Sequence, residues 1–101
     1  MPQQFRTYEL AIEFYRAAQT AQLPGFLKTQ LLRAASSVAL NLSEGNGRGS
    51  RAARRNFFTI AYASFRETQT IMRLEPKNCK NLVAIADKLG AHLYCLRRSL
   101  E

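Results

Sequence analysis

An all-α fold, an antiparallel up-down-up-down four-helix bundle, is what this sequence predicts, and three observations predict it. Apolar residues recur at three- and four-residue spacing through nearly the whole chain of 101 residues. Most of the Gly and Pro residues that interrupt this rhythm stand in short clusters, at Pro24 and Gly25, from Gly45 to Gly49, and at Pro76, leaving four helix-length segments. No segment alternates apolar and polar residues as a half-buried strand would. Connections this short make successive helices antiparallel neighbours. There is no internal repeat, low-complexity tract or second hydrophobic block, so residues 1–101 are expected to form one domain.

The first helix is expected from about Thr7 to Ala21. Tyr8, Ile12 and Tyr15 line one side of it, and Leu10, Phe14, Ala17 and Ala21 another, which leaves Glu9, Glu13, Arg16 and Thr20 as a narrow polar strip. An apolar arc this wide exceeds what a bundle interior takes, and predicts that the helix also meets another subunit. Pro24 and Gly25 start the second helix, whose stripe of Leu27, Leu31, Ala34, Ala35, Val38 and Leu42 is regular; Gly45, Asn46, Gly47 and Gly49 end it. Ser50 is placed to cap the third helix, which runs to about Glu75 because Pro76 lacks the amide needed to continue. The fourth spans about Asn78 to Leu100, with Leu82, Ile85, Ala86, Leu89, Leu93, Leu96 and Leu100 along one seam.

Fifteen Lys and Arg against seven Asp and Glu give a formal net charge of +8, with a sequence pI near 10.2. That balance favours phosphate-rich or otherwise anionic partners. Cys79 and Cys95 are too few for a disulfide scaffold. With His92, the sole histidine, they do not make a zinc set, so no metal or cofactor is expected and a reducing cytoplasm fits. The opening residues lack the layout of a secretory signal, and no apolar run approaches the ~18 residues of a bilayer span.

The third helix concentrates the charge. Arg51, Arg55, Arg66 and Arg73, with Tyr62 among them, fall in a narrow wedge, and Phe57, Ile60, Ala61, Ser64, Thr68 and Ile71 are expected on the opposite, packing arc. Arg48, Arg51, Arg54 and Arg55 crowd the amino end, where the macrodipole disfavours a cation by about 0.3–1 kcal/mol. A bound polyanion would remove that cost. Arg51 and Arg55 have no acidic residue three or four positions later. The row reads either as a nonspecific phosphate-binding surface or as the solvated face of an amphipathic helix. Tyr62 suits stacking on an exposed base as well as packing at a rim.

A second polar row, Gln30, Arg33, Ser37, Asn41 and Glu44, flanks the stripe of helix two, facing Ser64 and Glu67 of helix three. Hydrogen bonds across such a seam fix register, with Arg33 expected to pair with Glu67 or Glu44; a small-molecule pocket there would need an enclosed cavity. The glycine-rich stretch before helix three lacks the strand and lysine of a P-loop and is accounted for as a helix stop. His92 and Cys95 have no partners at catalytic spacing, and Asp87 is a lone acid on its helix, so no enzyme is expected.

Gln30, Leu31, Leu32, Arg33, Ala34, Ala35, Ser37 and Val38, then Asn41, Leu42, Ser43, Glu44 and Gly45, then Gly47 and Arg48, resemble the signature of the four-helix-bundle proteins encoded within bacterial 23S ribosomal RNA intervening sequences. Phe57, Ile60, Ala61, Ala63, Ser64 and Glu67, and later Lys88, Leu89, Gly90, Leu93, Leu96, Arg97, Ser99 and Leu100, continue the match. The resemblance implies a small cytoplasmic bundle that assembles as a ring-like homopentamer without known catalytic activity. More distantly, the chain is similar to the accessory variability protein of diversity-generating retroelements, which implies RNA and a reverse transcriptase as partners. Ala63 departs from the glycine common in the family, and Arg54 and Arg55 stand where an acidic residue is frequent. Two functions follow as expectations: an oligomeric RNA- or DNA-binding module that uses the arginine face, or an oligomeric adaptor for a protein partner.

Overall fold

The computed structural model describes all 101 residues, with α1 at Gln3–Gln19, α2 at Gly25–Asn46, α3 at Arg51–Leu74 and α4 at Val83–Arg98. Each helix packs on its two neighbours in the order α1, α2, α3, α4 and back to α1, while the diagonal backbones stay apart. The result is a closed four-helix bundle about 40 × 23 × 19 Å. No helix is long and apolar enough to cross a membrane.

α1 begins four residues before the expected Thr7. The Pro2 carbonyl accepts from Phe5 and Arg6, each at 3.1 Å, and the buried Thr7 hydroxyl donates to the Gln3 carbonyl at 2.7 Å, so the first turn has its own hydrogen bonds. Lys28 closes the other end by donating its ammonium to the carbonyls of Gln19 (2.7 Å) and Ala21, where the helix dipole favours a cation. Tyr8, Ile12 and Tyr15 pack half-buried against the core, which gives the wide apolar arc of α1 a use within its own chain.

α2 ends one residue after Gly45, and that glycine is needed for packing rather than for its backbone freedom. A Cβ there would stand 2.8 Å from Phe58 Cδ1 and 3.2 Å from Phe57 Cβ, closer than carbon atoms pack. Gly45→Ala is therefore expected to lose about 1–3 kcal/mol to overpacking, less the ~1 kcal/mol that alanine gains in a helix. Gly25→Ala, with nothing within 4 Å of the new methyl, is expected to be neutral or slightly stabilising. Urea midpoints of the two variants moving in the same direction would reject this packing argument.

α3 starts as expected: Ser50 is extended and its hydroxyl accepts from the Ala53 amide at 3.1 Å. Past Leu74 the chain makes two 3-10 turns, Pro76–Asn78 and Lys80–Leu82, in place of the expected first turn of helix four. Two asparagines fasten this connection to the α1–α2 loop, with Asn78 donating to the Gln22 carbonyl and Asn81 to Thr20 Oγ1 at 2.8 Å. The seam of α4 is buried at Leu82, Ala86, Leu89, Leu93, Leu96 and Leu100 and partly buried at Ile85. At the centre of the bundle the rings of Phe14 and Phe65 meet edge to face across the α1–α3 diagonal, with centroids 5.9 Å apart.

Candidate nucleic-acid interface

The side chains that α3 buries are Phe58, Ala61, Phe65, Thr68 and Ile71. The expected packing arc is thus rotated: Phe58 and Phe65 replace Phe57 and Ser64, which are only partly buried, and Ile60 is 41% exposed. Phe58 lies one turn from both Arg55 and Tyr62, so the arginine row borders the core and does not stand opposite it. This position divides the row into anchored and free members.

Arg51 is anchored. Its guanidinium donates to the carbonyls of Ser99 (3.1 Å) and Glu101 (3.2 Å), closing the otherwise unpaired end of α4. Arg48 pairs with Glu44 at 3.0 Å and lies 5.1 Å from the Phe57 ring centroid, so the cations at the amino end of α3 have one carboxylate beside them. Arg54 is half-buried, with its Nε enclosed and unpaired. Tyr62 is half-buried too, and one of its faces is occupied by Arg97 of α4, whose guanidinium carbon is 4.4 Å from the ring centroid.

Arg55, Arg66 and Arg73 are the free members. All three are exposed and none forms an ion pair or a side-chain hydrogen bond. At 1.5 Å per residue they span about 27 Å of one helix edge. Arg66 and Arg73 also line an open groove of about 790 Å³ between α3 and α4, with Thr70 beside them, Met72, Val83 and Ala86 as apolar surface, and Asp87 on α4. Arg97 extends the basic strip from the neighbouring helix. In the sequence its signals are its place in the family resemblance and its position near the carboxyl end of helix four, where the dipole favours a cation.

The polar row on α2 divides in the same way. The hydroxyls of Ser37 and Ser64 are 2.8 Å apart, and the Asn41 amide donates to the Ser37 carbonyl (2.8 Å) and hydroxyl (3.1 Å). Arg33 and Glu67 are exposed on either side of an open cleft of about 400 Å³ and do not pair. The expected Arg33 pairing with Glu67 or Glu44 is therefore corrected: the one ion pair of the chain joins Glu44 to Arg48, its neighbour one turn along. Neither Asn41 nor Glu44 lines the cleft, so it supplies no enclosed pocket for the small-molecule reading.

No three His, Cys, Asp or Glu side chains come together to hold a metal ion. His92 is half-buried beside the α4 seam and Cys95 is exposed. Cys79 is 1% exposed; burial, and secondarily the charge of Glu75, pushes its thiol above the ordinary range and keeps it protonated at neutral pH.

Residues 4–94 match the family model described as the 23S rRNA-intervening sequence protein. Neither a curated protein nor a solved structure matches the chain.

Proposed function

Since the chain belongs to the 23S rRNA-intervening sequence protein family, we propose that it is a nonenzymatic, oligomeric nucleic-acid-binding protein that holds phosphates along the outer edge of α3. The observation that carries this reading is the line of Arg55, Arg66 and Arg73, exposed and unpaired in a chain of net charge +8. Guanidinium groups without carboxylate partners bind phosphate with no ion pair to break first, and such contacts need no base readout. Arg51 and Arg97 contribute field while Arg51 closes the end of α4 and Arg97 packs on Tyr62 of α3. Assembly, as the ring of five implied by the family resemblance in a cytoplasmic setting, would repeat the edge and raise avidity without sequence specificity.

Retention of nuclease-treated protein on RNA, measured against salt, tests the proposal. Three phosphate contacts per subunit on a single strand give an expected slope of about −2 in log affinity against log salt. Affinity that stays flat between about 50 and about 300 mM salt would reject it.

The groove between α3 and α4, which joins apolar surface to Arg66, Arg73, Glu67 and Asp87, favours a second reading, an adaptor for a protein partner such as a reverse-transcriptase-like enzyme. A single stoichiometric protein recovered after nuclease treatment, with no salt-dependent RNA retention, would select it.

A further inference from the structure

Two heptad-spaced rows stand side by side on the outer face of α2 and α3. α2 presents Phe26, Arg33 and Leu40, and α3 presents Ile60, Glu67 and Leu74, all six exposed. The apolar members are not marginal: Phe26 is 69% exposed, Leu40 65% and Leu74 62%. The Ser37–Ser64 contact sets the register of the two antiparallel helices. It places Leu40 beside Ile60, Arg33 beside Glu67, and Phe26 beside Leu74. Each row is therefore apolar, charged, apolar, and the two charges are opposite. Within the chain, Arg33 and Glu67 flank the open cleft without meeting.

We infer that this face is where two copies of the chain meet, about a twofold axis that runs along the cleft parallel to α2 and α3. Such an axis lays α2 of one copy along α3 of the other. Arg33 then faces Glu67 of the second copy, Phe26 faces its Leu74, and Leu40 faces its Ile60, with every contact made twice. The surface is complementary to itself in both charge and hydrophobicity, the property that an isologous interface requires and a solvated face does not. The inference deepens the oligomer of the proposed function and rests on no nucleic acid. In a ring closed through other surfaces, the same contact would join two rings.

Light scattering of nuclease-treated protein decides it. Arg33→Glu and Glu67→Arg are each expected to lower the mass to half or less of the wild type's at the same concentration, because each puts like charges at both symmetric contacts. An equimolar mixture of the two variants is expected to recover the wild-type mass. In the mixed pair the introduced carboxylate of one copy faces the introduced guanidinium of the other, and the unchanged Glu67 of the first faces the unchanged Arg33 of the second. No pairing within one chain can produce that rescue. Leu40→Ser, which leaves charge untouched, should give the same fall with unchanged far-UV circular dichroism, and it keeps the inference testable if a charge variant fails to fold. Masses unaffected by the substitutions, a wild-type monomer, or a mixture that does not reassociate would overturn it. Salt-dependent RNA retention is read separately, so either result can fail without the other.

Discussion

Phe65→Ala is expected to cost about 3–5 kcal/mol, the range found when a large aromatic is removed from a packed interior. The ring is 2% exposed, meets Phe14 edge to face at 5.9 Å, and lies so close to α4 that a Cβ on Gly90 would stand 3.0 Å from its Cε2. It therefore joins α1, α3 and α4 at the level where the diagonal backbones do not touch. In a chain of this size the total stability is about 5–15 kcal/mol, so the loss would lower the melting temperature by at least about 12 °C. Phe14→Ala should cost a similar amount, and the double variant less than the two together, because both rings open one shared cavity and their edge contact is lost only once. Urea unfolding followed by circular dichroism checks both. A loss below about 1 kcal/mol for Phe65→Ala would show that the centre of the bundle is not where these rings place it.

Where the apolar period of one helix meets a single core face, the sequence is legible. Leu89, Leu93 and Leu96 of α4, and Leu27, Leu31, Val38 and Leu42 of α2, are all expected inside and are all buried. α3 is harder, because apolar residues occupy adjacent pairs at 57 and 58, 60 and 61, and at 65 beside the small Ser64, so two faces a partial turn apart fit the period. Treating the arginines as the centre of the solvated side turns the packing face away from Phe58 and Phe65. The true core passes beside the arginines, at Phe58 and Phe65. The start of α4 is illegible for another reason: Asn78 and Asn81 leave the helical path to bond partners 56 and 61 residues away, which no local pattern encodes. Glu44 pairs locally with Arg48, so Arg33 and Glu67 remain free for each other's counterpart in a second copy.

The largest functional effect is expected from Arg55→Ala, Arg66→Ala and Arg73→Ala combined. These three side chains carry charge without a structural task, whereas Arg51 closes the end of α4. Each phosphate contact releases about 0.7 counterion from a single strand, which at about 0.15 M salt corresponds to roughly fourfold in affinity. Three contacts multiply to about 50-fold per subunit, more where several subunits bind one strand, and the salt slope should fall by about 2. Melting temperature should not change, since no hydrogen bond or ion pair is removed. Arg6→Ala, Arg16→Ala and Lys88→Ala provide the control: three exposed cations are lost from other helices and net charge falls by the same amount. If phosphate binding follows the α3 edge, the control keeps most of its RNA retention and the α3 triple loses it. Equal losses in the two triples would mean that net charge alone holds the nucleic acid, and Arg51→Ala would then weaken binding no more than any other single cation, while still loosening the end of α4, as read by faster amide exchange at Ser99 and Leu100.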